Sequence, residues 1–183
     1  MQVTICTANC VGQAGNCSYP NRVTVVTPEQ LQEAVKKDHV CGEFKGNYRS
    51  IDNFIRSDVI VMDIDNDHTE VPADWITPEK LEEPFSNVEY LLAPSRHHLL
   101  NKEGKTARPR YHMYFPISEI TDASRYANLK KAIQSAYAFF DGNALDAARF
   151  IFGAECEEVI FHEGWMTVDE EVEISDTEDD DFD

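Results

Sequence analysis

Two aspartates separated by one residue, Asp63 and Asp65, close the stretch SDVIVMDIDNDH that runs from Ser57 to His68. Ahead of them, Val59, Ile60, Val61 and Met62 form a continuous apolar run with strong β preference, long enough for one buried strand. Alternate side chains of a strand share a face, so Asp63 and Asp65 point the same way with Ile64 packed behind them. Carboxylates this close repel each other and lose hydration unless a cation sits between them, which makes the pair a candidate divalent-metal clamp at a strand end. A solvated acidic turn, Asn66-Asp67-His68, accounts for the same letters, and D-x-D alone does not decide between the two.

Two later stretches carry matching chemistry. Ser95 to Phe115 reads SRHHLLNKEGKTARPRYHMYF. Leu99-Leu100, a polar turn over 101–105 and a strand from Arg110 to Phe115 suggest a β-hairpin with a long tip. Five cations (Arg96, Lys102, Lys105, Arg108 and Arg110) face one acid there, a local positive ribbon in an acidic chain. His97, His98, Tyr111 and His112 are interleaved with them, a mixture suited to phosphate and base contacts. Lys102, Lys105, Arg108 and, from an earlier segment, Arg49 are the candidate nucleic-acid contacts, although charges that merely solvate a hairpin would look alike. His112 sits inside the strand, on the face opposite Tyr111 and Met113. Further on, Asp141 emerges from Phe139-Phe140 into a Gly-Asn turn, followed by Asp146 and Arg149, which are spaced for a local ion pair.

The elements that must position these residues are legible in outline. Gln2–Thr7 and Arg22–Val26 read as strands around a Gly/Asn/Pro-containing loop. Thr27-Pro28-Glu29 is a helix start, with the helix continuing to about Asp38. A mixed segment, Gly42–Phe54, holds Lys45, Tyr48, Arg49 and Asn53. Thr77-Pro78-Glu79 repeats the helix signal for a short helix over Leu81–Phe85, and Val88–Ala93 is the next strand. Tyr126, Leu129, Ile133, Ala136 and Tyr137 give Thr121–Phe139 helical spacing, a packing helix without evident chemistry. Arg149–Phe152 and Glu158–His162 complete the expected strands.

Length suits one domain with a real core. No segment has the apolar length to cross a bilayer and the N-terminus shows no export signal, so the expectation is a cytoplasmic protein without a membrane partner. The formal charge of −18 is concentrated at one end: 14 of the 34 acidic residues lie from Glu155 onward, where there is no Lys or Arg. The body is therefore nearly balanced, and residues 169–183 form an acidic tail too charged to pack, expected to be disordered beside a domain of 1–168. Five cysteines are an odd count for a disulfide framework. Cys6, Cys10, Cys17 and Cys41 lack the paired C-x2-C spacing of a zinc site, so reduced thiols are expected.

Taken in order, an apolar strand ending in D-x-D, a basic strand carrying a histidine and a later hydrophobic-Asp resemble the archaeo-eukaryotic-type primases, or primase-polymerases, in the form carried by plasmids, phages and integrative elements of bacteria. The first family motif, hydrophobic-D-x-[DE], is matched by Val61-Met62-Asp63-Ile64-Asp65. The second, a serine or glycine and a histidine leading into a strand, is matched by Ser95-Arg96-His97 or by Arg110-Tyr111-His112-Met113-Tyr114-Phe115. The third, hydrophobic-D, is matched by Phe140-Asp141, with Arg149 following. The resemblance spans about Asp38 to Gly153. It implies an α+β fold: a two-part body with an RRM-like antiparallel sheet packed beside a small N-terminal α/β unit. It also implies Mg²⁺ or Mn²⁺ on Asp63, Asp65 and Asp141, and nucleotide contacts from His112, Arg110, Ser95, Arg96, His97 and Arg149. The implied reaction is template-directed nucleotidyl transfer from an NTP or dNTP to a 3′-hydroxyl on single-stranded DNA, with a helicase or other replication protein as partner. The second motif is spread over two places, so His97, His98 and His112 compete for its histidine, with His112 favoured by its strand position; Asp146 rivals Asp141 for the third. Two other functions fit the same residues: a non-catalytic single-strand-binding module of primase-like fold, and a metal-dependent nuclease.

Overall fold

The computed structural model describes residues 1–173, arranged as two antiparallel sheets with helices packed on them. The N-terminal sheet has four strands in the order β2-β1-β3-β8: β1 is Val3–Thr7, β2 Asn21–Val25, β3 His39–Val40 and β8 Phe150–Ile151. The larger sheet has five, in the order β4-β5-β7-β6-β9: β4 is Glu43–Phe44, β5 Phe54–Ile64, β6 Tyr90–Pro94, β7 Tyr111–Ile120 and β9 Ile160–His162. Helices α1 (Pro28–Ala34), α2 (Pro78–Leu81) and α3 (Ala123–Ala136) complete the named elements.

β5 explains why the body has two halves. Ile60, Met62 and Ile64 point into a core shared with Met113, Phe115 and the inner face of α3 at Tyr126 and Ile133. Val59 and Val61 point the other way, into a core shared with Val3, Ile5 and Leu31 of the N-terminal unit and with Tyr114. A strand covered on both faces must be apolar throughout, hence the unbroken run in the sequence. The run ends where the cleft between the sheets opens: Asp63 continues the Val59-Val61 face, and Asp65 lies just past the strand.

α1 begins at the expected cap. The Thr27 hydroxyl accepts from the Gln30 N–H at 3.2 Å while Gln30 Oε1 accepts from the Thr27 N–H at 3.1 Å, a reciprocal capping box. It stops at Ala34, short of the expected end near Asp38, because the Asp38 carboxylate has other commitments. That side chain is fully buried and accepts the backbone N–H groups of Gly12, Gln13 and Gly153 at 2.8, 2.8 and 2.7 Å. Asp38 thereby ties the 8–21 loop and the chain after β8 to the end of the helix. Gly153 is required there, since a Cβ would stand 2.3 Å from the Lys36 carbonyl oxygen.

Three expectations need correction. The strand paired with the histidine strand is β6, not Leu99-Leu100: Leu92, Ala93 and Pro94 face Met113, His112 and Tyr111. Leu99 has φ 56°, a left-handed conformation that no strand residue adopts, and the Ser95–Arg110 segment is an irregular loop closed by Ser95 N–H to Arg110 O and Leu99 N–H to Arg108 O, both 3.0 Å. Secondly, the chain does not leave the body at residue 169. Residues 168–173 are helical, and Val168 and Val172 are buried in the main core; the rest of the expected acidic tail lies outside the described residues. Thirdly, the short helix after Thr77 covers Pro78–Leu81 rather than Leu81–Phe85, leaving Phe85 as a buried aromatic centre in the turn that follows. All five cysteines are free, and among the described residues Cys6, Cys10, Cys17 and Cys41 form no ligand group.

Candidate active site

The register of β5 on β7 places Asp63 opposite His112, and β6 adds Ala93 on the other side of His112. His112 Nε2 stands 3.5 Å from Asp63 Oδ1. Asp141 arrives from the end of the α3 unit: its N–H donates to the Asp63 carbonyl at 2.9 Å, and its Oδ1 accepts from the backbone and side-chain N–H groups of Asn143 at 3.0 and 2.9 Å. Asp63, Asp65 and Asp141 each offer an oxygen within 4.8 Å of the others, and all three are partly buried. Arg149, leading into β8, reaches across from the N-terminal sheet and sets Nη2 2.8 Å from Asp63 Oδ2. It makes no local pair with Asp146, which turns onto its own backbone instead, Oδ1 accepting from the Ala148 N–H at 2.7 Å.

These side chains line a cleft cavity of about 260 Å³, whose other wall includes Ser95, Arg96, His97, Lys102 and Phe152. Arg96 lies 3.6 Å from the centroid of the Phe152 ring, so one side chain of the basic loop rests on the aromatic residue after β8. His97 and His112 border the cavity, whereas His98 turns away and accepts the Arg110 N–H at Nδ1, 3.1 Å. Lys102 Nζ is 3.9 Å from Asp65 Oδ1, and Lys105 Nζ is 3.4 Å from Asp67 Oδ2.

Three arginines lie elsewhere than the sequence suggests. Arg108 and Arg110 are completely buried beneath the turn after β5. Arg108 donates to the carbonyls of Asn66 and Thr69 at 2.9 and 3.1 Å and to Glu70 Oε2 at 2.7 Å. Arg110 donates to the Asp65 carbonyl at 2.8 Å and ion-pairs with Asp67 at 3.0 Å. The carbonyls on the inner side of this turn, at Asp65, Asn66 and Thr69, need donors, and two guanidinium groups supply them. Neither presents any surface to a nucleotide or a template; they fix the backbone that carries Asp65. Asn66 joins them with φ 55°, its side chain bonded to Ile76 and Pro109. Arg49 donates to the Ala148 carbonyl at 3.1 Å and lies 4.8 Å from the Phe150 ring, bracing the approach to Arg149.

The charges are interlocked. Burial alone would push Asp63 up, but His112 and Arg149 more than offset it and hold the carboxyl below its usual range. Burial pushes His112 down, with the charge of Asp63 opposing. Asp65 is raised, by burial first and by the charges of Asp63 and Asp141 as well, against the pull of Lys102 and Arg110. Crowded, partly desolvated carboxylates of this kind are relieved by a cation.

Lys130 of α3 was not foreseen. It is buried, its Nζ donates to the Ala144 carbonyl at 3.4 Å, and its field acts on Asp63. Burial lowers its pKa, with the charge of Asp63 opposing. Its signal was a lysine on the stripe between Tyr126 and Ile133, where packing calls for an apolar residue. Beneath the site, His39 Nδ1 faces the Lys37 carbonyl at 2.8 Å and so carries the proton, leaving Nε2 to accept from the Tyr114 hydroxyl at 2.7 Å.

No protein-family model matches the chain, and no curated protein sequence matches it. Among solved structures, it is similar to the AEP domain of the cyanophage S-2L primase-polymerase (PrimPol), with a TM-score of 0.51 and 13% sequence identity, covering 94% of this chain and 87% of that one. The chain therefore has the fold of an AEP-type primase-polymerase domain: a mixed α/β body of two antiparallel sheets, as the three motifs implied.

Proposed function

We propose that this protein is a template-directed primase-polymerase that transfers nucleotides from NTP or dNTP to a 3′-hydroxyl along single-stranded DNA. One observation carries the reading: the Asp63/Asp65 pair and the distant Asp141 meet beside a buried histidine and an arginine in the cleft of this fold. Asp63, Asp65 and Asp141 would hold Mg²⁺ or Mn²⁺, since the donors are all carboxylate oxygens with no thiolate or imidazole among them. When bound, such ions neutralise triphosphate charge and polarise the reacting oxygens. The protein's own groups do the rest. Arg149 and Arg96 offer positive charge to the triphosphate from the N-terminal side and from the loop. His112, held between Asp63 and Ala93, would offer an imidazole N–H to a phosphate oxygen. Lys102 and Lys105, at the rim, are the cations able to meet a template backbone.

The similarity to a cyanophage primase-polymerase domain supports a place in the replication of a phage or other mobile element, and the reading extends to a cytoplasmic setting with a helicase or other replication protein as partner. No helix among the described residues is long and apolar enough to cross a membrane. The test is primer synthesis and extension on single-stranded template with either nucleotide set, in Mg²⁺ and in Mn²⁺. Asp63→Asn is expected to lower incorporation by about a thousandfold or more while leaving the fold intact. Full activity in that variant, or single-strand binding by the wild-type chain with no incorporation under any of these conditions, would refute the assignment.

A further inference from the structure

A second cavity, larger than the carboxylate cleft, lies outside it. It is a groove of about 620 Å³ between the 95–100 loop and the segment from Glu155 to Ile160. Leu92, Tyr111 and Ile160 contribute to its lining, and Leu99 and Leu100 stand on its edge with 58% and 54% of their surface exposed. Two adjacent leucines in water are unfavourable, and here the backbone is strained as well: Leu99 holds φ 56°, a conformation that bulky residues avoid. The loop is nevertheless firmly built. His98 N–H donates to Ser95 O, Leu100 N–H to His97 O and Leu99 N–H to Arg108 O, each at 3.0 Å, and the Arg108 that anchors it is fully buried. A loop held by buried structure in a strained shape that displays apolar side chains has the properties of a recognition surface.

The rim indicates the partner. Glu79, Glu155, Glu157 and Glu158 are all exposed around the groove, and Arg96, the cation that borders it, is stacked on Phe152. Four carboxylates repel a nucleic-acid backbone. They equally disfavour a second copy of this chain, whose formal charge is −18. We propose that the groove is a docking site for a basic amphipathic segment of another protein, its apolar face set on Leu99 and Leu100 and its lysines or arginines on the glutamates. Ser95 and Arg96 line both this groove and the carboxylate cavity, so a docked segment would rest against the wall of the candidate nucleotide site. The inference is independent of nucleotidyl transfer.

The probe is a labelled amphipathic peptide with leucines on one helical face and lysines on the other, titrated into the full chain by fluorescence anisotropy, beside a scrambled peptide of identical composition. Saturable binding of the amphipathic peptide is expected, with affinity at least about tenfold above the scrambled one. The double substitution Leu99→Ser, Leu100→Ser is expected to remove that preference, and the exposure of both side chains predicts an unchanged Tm. The charge reversal Glu155→Lys, Glu158→Lys is expected to weaken binding by a similar factor. Equal binding of both peptides, or of the wild type and the leucine variant, would overturn the proposal. So would displacement of the peptide by a single-stranded oligonucleotide, or a concentration-dependent dimer of the chain that the leucine substitutions abolish.

Discussion

Asp63 is the side chain on which the others converge. It touches Arg149 and His112, its carbonyl holds Asp141, and Lys130 lies behind it. In the proposed site Arg149 would compete with a cation for the same carboxylate while offering its own charge to a triphosphate, so Arg149→Ala should separate two readouts. Mn²⁺ binding without nucleotide, followed by electron paramagnetic resonance, should tighten by about tenfold as a positive neighbour is removed. Nucleotide binding in the presence of metal should weaken by a comparable factor. A loss of both would mean that Arg149 only props the fold. Arg108 gives the opposite kind of prediction. Arg108→Met leaves the carbonyls of Asn66 and Thr69 without their donor and should destabilise the protein by roughly 3 kcal/mol in denaturant unfolding. The salt dependence of single-strand binding should remain as in the wild type. Lys102→Ala should do the reverse, reducing the salt slope by about one unit with little change in stability.

At the scale of elements, the joint between α1, β3 and β8 is the most sensitive point. Gly153→Ala would force a Cβ into the Lys36 carbonyl and loosen the Asp38 anchor, and should cost about 3 kcal/mol, read as a lowered denaturation midpoint at unchanged m. Strand β5 and helices α1 and α3 were legible in the sequence because their signals are local: the apolar run of β5, the Thr27-Pro28 start of α1 and the inner stripe of α3; the two-residue strand β3 of this joint carries too little pattern to be read. Asp63 was legible for the same reason, as the residue at which an apolar run turns acidic. Its partners His112, Asp141 and Arg149 were reached only through the order of the three motifs, because no local signal shows which side chains meet across the cleft. Arg149 is 86 positions away, and nothing in its neighbourhood distinguishes a cross-cleft partner from a local ion pair with Asp146. The buried arginines were missed for a different reason. Clustered cations are ordinarily solvated, and only the turn after β5, with its enclosed carbonyls, makes burial of two guanidinium groups favourable. The hairpin failed on one dihedral angle: two leucines look like strand, and Leu99 sits in the left-handed region.

For the molecule as a whole, stability should fall in mild acid. Burial holds His39 at about 4, below its ordinary value of 6.5, so between these values the unfolded chain binds a proton that the folded chain refuses. The contribution of His39 is complete above about pH 6.5 and is lost as pH falls toward 4, at about 1.4 kcal/mol per pH unit and roughly 3 kcal/mol in all. Asp38 extends the loss to lower pH. Burial raises it, but the three backbone N–H groups more than compensate and hold it below its usual value, so its share disappears only as pH drops past the ordinary carboxylate range. Urea unfolding at pH 7.5, 6 and 5 measures the slope, and His39→Gln should flatten it. An equal slope in that variant would place the acid sensitivity elsewhere.

The two ends of the Arg149–Asp63 contact belong to different sheets, while the three carboxylates are fastened to one another through β5 and the Asp141 amide. Any parting of the halves would therefore strip the guanidinium from its acid without spreading the acids themselves. A breathing motion of a few ångströms would leave the three carboxylates in place and change only how negative the cleft is, so that, for the proposed cation, the gap between the sheets would control the strength of its hold rather than its geometry.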